Sequence, residues 1–256
     1  MAKSLHRLFH RGILPGLAVV ILTMSSHVGK SSPQDWVAMR DKMVAEVQYD
    51  MARVRDITGR DQLSPEVTQA LGDVERHLFV PDGYRSFAYD NRPLPIGEGQ
   101  TISQPFIVAL MTELLNVDKR SRVLELGTGS GYQAAVLAEV VDEVYTIEIV
   151  VSLARVAADR LEKLGYTNIH VRQGDGTLGW PEAAPFDGIM VTAAGIDIPR
   201  PLLEQLASGG RLVMPVGARD QTQQLMVITR NEDGTFTEEP TIPVRFVPIT
   251  GDNAGQ

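Results

Sequence analysis

The stretch from Arg122 to Glu148 leaves the chain few folds to choose from. Val123, Leu124 and Leu126 make residues 122–126 a short buried strand. Gly127, Gly129 and Gly131 form a turn, residues 132–140 are helix-like, and residues 143–148 are a second strand ending on an acid, Glu148. Strand, turn, helix and strand in this order build parallel sheets, which hold nucleotides at the carboxyl ends of their strands. Glycine lets the backbone approach a ligand closely. Glu148, seventeen positions after Gly131, is placed to accept hydrogen bonds from two ribose hydroxyls.

The spacing narrows the ligand. Gly-x-Gly-x-Gly, preceded by Glu125, is not the Gly-x-Gly-x-x-Gly of dinucleotide binders, and no Gly-Lys-Ser/Thr marks a P-loop. A pyrophosphate wants a bare helix N-terminus. An acid before the first glycine suits a ligand carrying an ammonium group, such as the methionine part of S-adenosylmethionine. A dinucleotide, or a structural turn with no ligand, stays open on these residues alone.

A chain of 256 residues, 43% hydrophobic and 22% charged, is of ordinary globular composition. Its net charge of −8 argues against broad nucleic-acid binding, which needs a basic surface. The absence of cysteine removes disulfides, thiolate metal sites and a cysteine nucleophile.

The N-terminus differs from the rest. Lys3, Arg7 and Arg11 precede an apolar run over residues 13–24, followed by Ser25 and Ser26. The run is too short to span a bilayer comfortably, so no stable membrane insertion is expected. With small residues at Thr23 and Ser25 it has the three parts of an export signal. Residues 1–33 are therefore assigned as a signal-like or unstructured segment with a linker, and 34–256 as one domain.

From Gln34 the pattern is helical, with Trp36, Met39, Met43, Val47, Met51 and Val54 on one face. A methionine stripe of this kind is packing surface. Ser64-Pro65-Glu66 starts a second helix through a capping serine. His77 has no second ligand at metal spacing and is assigned to packing. Residues 89–105 are dense in Pro and Gly and read as a loop, a candidate substrate lid. Pro105 opens the next helix, with Ser103 or Gln104 as its cap.

Beyond the central unit, residues 151–164 form a helix with Leu153, Val156, Ala157, Leu161 and Leu164 inward, closed by Gly165. Residues 169–172 are a third strand leading to Gly174-Asp175-Gly176. Asp175 there suits an adenine amino group or is simply a turn residue. Residues 186–191 are a fourth strand, opened by Asp187 in a turn or packing role, and Thr192-Ala193-Ala194-Gly195 would pass under a ligand with little bulk. A helix over 199–206 stops at Ser208-Gly209-Gly210. Strands follow over 211–215, 225–229 and 244–248. The Asp233-Gly234 turn, with no helix between the last two strands, favours an antiparallel pair.

Several stretches together resemble one family. They are Arg92-Pro93-Leu94-Pro95-Ile96-Gly97-Glu98-Gly99-Gln100-Thr101-Ile102-Ser103-Gln104-Pro105, the glycine motif from Leu124 to Tyr132, and Gly174-Asp175-Gly176-Thr177-Leu178-Gly179-Trp180. Ala184-Pro185-Phe186-Asp187, Gly209-Gly210-Arg211-Leu212 and Phe246-Val247-Pro248 complete the set. The likeness is to protein-L-isoaspartate O-methyltransferases and runs from about Asp35 to Thr250. The glycine motif is shared by many methyltransferases; the loop ending Thr-Ile-Ser-x-Pro is far more specific.

The resemblance implies a doubly wound α/β fold with a mostly parallel seven-stranded sheet. It also implies methyl transfer from S-adenosylmethionine, without metal, to the free α-carboxylate of L-isoaspartyl residues in damaged proteins and peptides. It makes Ser103 the active-site residue and puts Thr101 and Ile102 on the acceptor side. It gives Gly127, Gly129, Gly131, Glu148 and Asp175 to the cofactor; Glu125, the acid before the first glycine, and Gly176, beside Asp175, are assigned there with them. A cytoplasmic monomer is expected, or a periplasmic one if residues 1–25 direct export. A nicotinamide-dependent oxidoreductase and a non-catalytic S-adenosylmethionine-binding module are the competing expectations.

Overall fold

A computed structural model describes residues 33–218 and 221–250. The signal-like segment lies outside the described residues. Helix α1 (Pro33–Arg53) buries Met43, Val47 and Met51, with Trp36, Met39 and Val54 packed at its margins. The methionine stripe is packing surface. A single turn, α2 (Arg55–Thr58), precedes α3 (Pro65–Asp73), where the Ser64 hydroxyl accepts from the Val67 amide as its N-cap.

His77 is buried, stacks on Trp36 at 4.5 Å and meets the Tyr89 hydroxyl at 2.9 Å. Burial holds it below its ordinary pKa. It packs, as expected.

Residues 89–105 are more ordered than a loop. They contain an antiparallel hairpin of β1 (Leu94–Gly97) and β2 (Gln100–Ile102). Glu98 and Gly99 both have positive φ, 52° and 71°, as a tight hairpin turn with matching twist requires. Helix α4 (Pro105–Leu115) follows, and almost all of it is buried.

The large sheet contains β3 (Arg122–Leu126), β4 (Glu143–Glu148), β5 (Ile169–Gln173), β6 (Phe186–Val191), β7 (Leu206–Val216), β8 (Gln223–Arg230) and β9 (Phe236–Val244). Their order across the sheet is β5-β4-β3-β6-β7-β8-β9. The first four pairings are parallel; β7 with β8 and β8 with β9 are antiparallel. Helices α5 (Tyr132–Ala138) and α6 (Val151–Lys163) connect the parallel strands β3, β4 and β5, and α7 (Arg200–Gln205) leads into β7.

Strand alternation feeds two cores. Val123, Met190 and Val213 face the core shared with α1, α3, α4 and α5; Leu124, Leu126, Ile189, Leu212 and Met214 face the one shared with α7. The sheet is thus covered on both faces.

Three expectations are corrected. The last strand is Phe236–Val244 rather than 244–248. Pro240 and Pro243 lie within it, which only an edge strand tolerates, and β9 is the edge. Strand β7 starts at Leu206 directly after α7, bulges through residues 207–210, and resumes pairing at Arg211; the glycine pair makes the bulge. On α6 the inward stripe is Leu153, Ala154, Ala157 and Leu161, while Val156 and Leu164 are exposed.

Candidate active site

The chain runs outward from β3 through β4 to β5, then returns to β6 on the other side of β3. The crevice beyond the carboxyl ends of β3 and β6 is where such sheets bind ligands. Gly127 leaves the end of β3 and Thr192 the end of β6; the Thr192 amide donates to the Leu126 carbonyl at 2.9 Å. The Thr192 hydroxyl donates to the carbonyls of Leu126 and Gly127, each at 2.8 Å. A Cβ on Gly127, whose φ is +94°, would collide with that hydroxyl. The glycine therefore lets the turn sit close beside Thr192.

A cavity opens here, lined by Gly127, Gly129, Glu148, Gly176, Thr192 and Ala193, with walls from Ile149 and Val150, from residues 247–250, and from Thr101 on the hairpin. Glu148 is buried at the end of β4. Its carboxylate accepts from the Gly129 amide at 2.8 Å and from the Val150 amide at 2.9 Å. An ionised carboxylate has about four acceptor positions, so two are left for a ligand's hydroxyl pair. An acid braced this way, beside apolar walls and a glycine turn, fits a nucleoside.

The other expected cofactor residues divide. Gly176 lines the cavity, and a Cβ there would also meet Leu126 Cγ at 2.8 Å. Asp175 caps a short 3-10 turn, its Oδ1 accepting from the Thr177 amide at 2.9 Å and the Thr177 hydroxyl at 2.7 Å. These are turn contacts, and Asp175 does not itself line the cavity. Gly131, with φ +87°, is the N-cap of α5 and packs toward Leu161 instead of lining the cavity.

Glu125 does not line the cavity. Strand alternation puts it on the face of β3 opposite Leu126, which lines the cavity. It is fully buried, and its Oε2 accepts from the Thr146 hydroxyl at 2.6 Å, which in turn pairs with the Thr128 hydroxyl at 2.6 Å. Burial pushes its pKa up to about 8; the Thr146 bond opposes this and the Glu148 charge adds to it. Glu125 braces the glycine turn from behind and is not itself in the cavity wall.

Ser103 lies where two spaces meet. It lines a small pocket against residues 127–130, Tyr132, Gln133 and Thr192. It also lines an open cleft with Pro93, Gln104, Ile107, Arg245 and Phe246. Among the described residues its hydroxyl has no hydrogen-bond partner, and it does not cap α4. The N-cap is Gln104, without a side-chain bond, and the Phe106 amide is satisfied by Asn91 Oδ1 at 3.0 Å. Thr101 is exposed and lines both spaces, whereas Ile102 is buried and reaches only the small pocket.

The sequence did not single out Thr192 as a brace, Asn91 as the substitute cap, or Arg245 at the cleft. It also missed the hairpin's contact with α6, where the Ser152 hydroxyl donates to Glu98 Oε1 at 2.8 Å. All four depend on pairings distant in the chain. The run Gly97-Glu98-Gly99 was a local sign of the last, since glycines on both sides of one residue suit a tight turn.

A doubly wound sheet with a glycine turn and a braced acid at its switch point defines a methyltransferase fold of the S-adenosylmethionine-dependent type. Residues 54–254 match the family model described as protein-L-isoaspartate(D-aspartate) O-methyltransferase. The chain is 52% identical over 236 residues to protein-L-isoaspartate O-methyltransferase 2 of Syntrophobacter fumaroxidans, covering 92% of this chain and 96% of that one. It is 48% identical over 242 residues to protein-L-isoaspartate O-methyltransferase 1 of Cupriavidus necator, covering 94% and 93%. A solved protein-L-isoaspartate O-methyltransferase superposes with a TM-score of 0.74 at 29% identity, over 84% of this chain and 67% of that chain. A putative one from Plasmodium falciparum, in complex with S-adenosyl-L-homocysteine, shares the fold with a TM-score of 0.69 at 23% identity, covering 84% and 98%. The chain belongs to the protein-L-isoaspartate (D-aspartate) O-methyltransferase family.

Proposed function

We propose that this protein transfers a methyl group from S-adenosylmethionine to the free α-carboxylate of L-isoaspartyl residues, starting their repair through a succinimide. The observation that carries the reading is the position of Ser103. Its unbonded hydroxyl lies between the pocket at the glycine turn and the open cleft. S-adenosylmethionine, held in the cavity by Glu148 and the glycine turn, supplies an electrophilic methyl group. The acceptor enters by the cleft, where Arg245 offers a cation to an anionic residue.

The acceptor needs no strong base. A carboxylate is ionised at neutral pH, so the protein has to align it with the methyl and exclude water. Ser103 donates its hydroxyl hydrogen to one carboxylate oxygen and leaves the other to attack. Thr101, lining both spaces, flanks that path. The hairpin roofs the junction, held at its tip by the Ser152–Glu98 bond. Neither nucleic acid nor a partner subunit has a role in this scheme, and the enzyme acts as a monomer on peptides and proteins.

Mass spectrometry of an isoaspartyl peptide incubated with the protein and S-adenosylmethionine tests the reaction. The expected course is a gain of one methylene mass, then loss of methanol as the neighbouring amide nitrogen closes the ring. A stable methylated product that never loses methanol would contradict transfer to that carboxylate.

A further inference from the structure

Arg76 is completely buried on the 3-10 turn Arg76–Leu78. Among the described residues it has no carboxylate partner. Burial lowers its pKa to about 10, so it keeps its charge at neutral pH. A buried charge without a counterion is costly to a fold, and packing alone would be better served by an apolar residue.

The contacts it makes are specific. Nε donates to the Ala88 carbonyl at 2.8 Å, and Nη2 donates to the Ser103 carbonyl at 2.7 Å. These are the two ends of the segment 88–103, which carries the β1–β2 hairpin over the cavity. The guanidinium also lies 4.7 Å from the centre of the Tyr132 ring, within cation–π range. Tyr132 is the first residue of α5, next to Gly131 of the cofactor turn. One planar cation thus touches the start of the hairpin segment, the backbone of Ser103 and the helix that leaves the glycine turn.

We infer that Arg76 is a positioning residue for methyl transfer, fixing the Ser103 backbone and hairpin against the cofactor turn so that the acceptor carboxylate meets the methyl group in line. This rests on the proposed function for its substrate. It acts through Ser103 and touches neither reactant. Lysine cannot replace it fully, because an ammonium lacks the planar fork that spans two carbonyls.

The test uses the full chain with Arg76→Met and Arg76→Lys. Steady-state rates with an isoaspartyl peptide are measured below the melting temperature and normalised to folded protein. S-adenosylhomocysteine affinity is measured in parallel. Arg76→Met is expected to lower kcat/KM for the peptide by roughly 10- to 100-fold, the scale of misplacing a reacting group by about 1 Å. S-adenosylhomocysteine affinity should stay within about threefold, since no cavity-lining side chain is removed. Arg76→Lys should fall between wild type and Arg76→Met.

Amide hydrogen exchange gives a second readout, independent of the acceptor. Residues 88–103 should exchange faster in both variants while β3, β4 and β6 keep their protection. Lower melting temperature with unchanged kcat/KM and unchanged exchange in 88–103 would reduce Arg76 to a structural residue and overturn the inference. If Arg76→Met does not fold, Arg76→Lys decides alone, and wild-type kcat/KM and exchange in it overturn the inference. A wild-type protein inactive on isoaspartyl peptide would instead defeat the proposed function, with the exchange result still deciding the role of Arg76.

Discussion

Replacing Glu148 by alanine separates its bracing of the glycine turn from the ribose contact proposed for it. Glu148 receives the amides of Gly129 and Val150 at 2.8 and 2.9 Å, and it is buried. The substitution orphans both donors. At about 1–3 kcal/mol for each unsatisfied buried donor, the upper bound on lost stability is about 6 kcal/mol. The cavity is open enough for water to reach these amides, and bridging water recovers much of such a loss. A net cost of about 2–3 kcal/mol is expected. Ligand binding loses a second contribution, the hydroxyl pair facing the two remaining acceptor positions. Hydrogen bonds to a charged group contribute about 1.5–3 kcal/mol, so Kd should rise roughly 10- to 150-fold. Calorimetric titration with S-adenosylhomocysteine, at a temperature where circular dichroism shows the variant folded, measures this directly. Glu148→Gln keeps the shape and one acceptor oxygen and should fall between. A folded Glu148→Ala protein with Kd within twofold of wild type would refute the ribose assignment and leave Glu148 as a brace of the glycine turn only.

Ser103→Ala should leave stability within about 0.5 kcal/mol, as for a substitution that breaks no bond, and leave S-adenosylhomocysteine affinity unchanged. Methyl transfer should fall roughly 10- to 1,000-fold, the range for losing one positioned donor; wild-type turnover would remove its catalytic role. Gly127→Ala places a Cβ against the Thr192 hydroxyl at a φ of +94°, so chemical denaturation should show a loss of at least about 1–3 kcal/mol from backbone strain. Burial lifts Glu125 from the ordinary carboxyl pKa of about 4.5 to about 8, so the folded protein binds the extra proton between these values. Its contribution to stability is full below about pH 4.5 and is lost as pH rises through about 8. Glu125→Gln should therefore flatten the fall in stability across that window, and an unchanged pH profile by urea denaturation would show that Glu125 is ionised in the fold.

The central unit was legible because its signals are local. The boundaries of β3, β4 and β6 match the expected strands at both ends, since apolar runs of five or six residues between turn signals have little freedom. The stripe on α1 was equally plain. The hairpin was hidden by its own composition, because Pro93, Pro95 and Gly97 read as loop while the pairing of Leu94 with Ile102 is not a local property. Strand β9 was hidden because an edge strand with an exposed outer face can carry prolines and acids. Position and motif picked out Glu148 and Ser103, which line the cavity and the cleft. Glu125 lies behind the glycine turn and not in the cavity wall, because strand alternation decides its face and position in the motif alone does not. Arg76 gave no sequence signal, since a single arginine near Glu75 and His77 looks like an ordinary surface residue until three distant contacts converge on it.

A site that delivers a free α-carboxylate to the methyl donor past Ser103 must tell an isoaspartyl residue from a normal aspartyl one. Two peptides of one sequence, one with L-isoaspartyl and one with normal aspartyl at the same position, test it most directly, with isotopically labelled S-adenosylmethionine and kcat/KM measured for each. Incorporation into the isoaspartyl peptide is expected, with a signal from the aspartyl peptide no greater than a no-peptide control. Equal incorporation into both, or into neither with folded protein that binds S-adenosylhomocysteine, would contradict it.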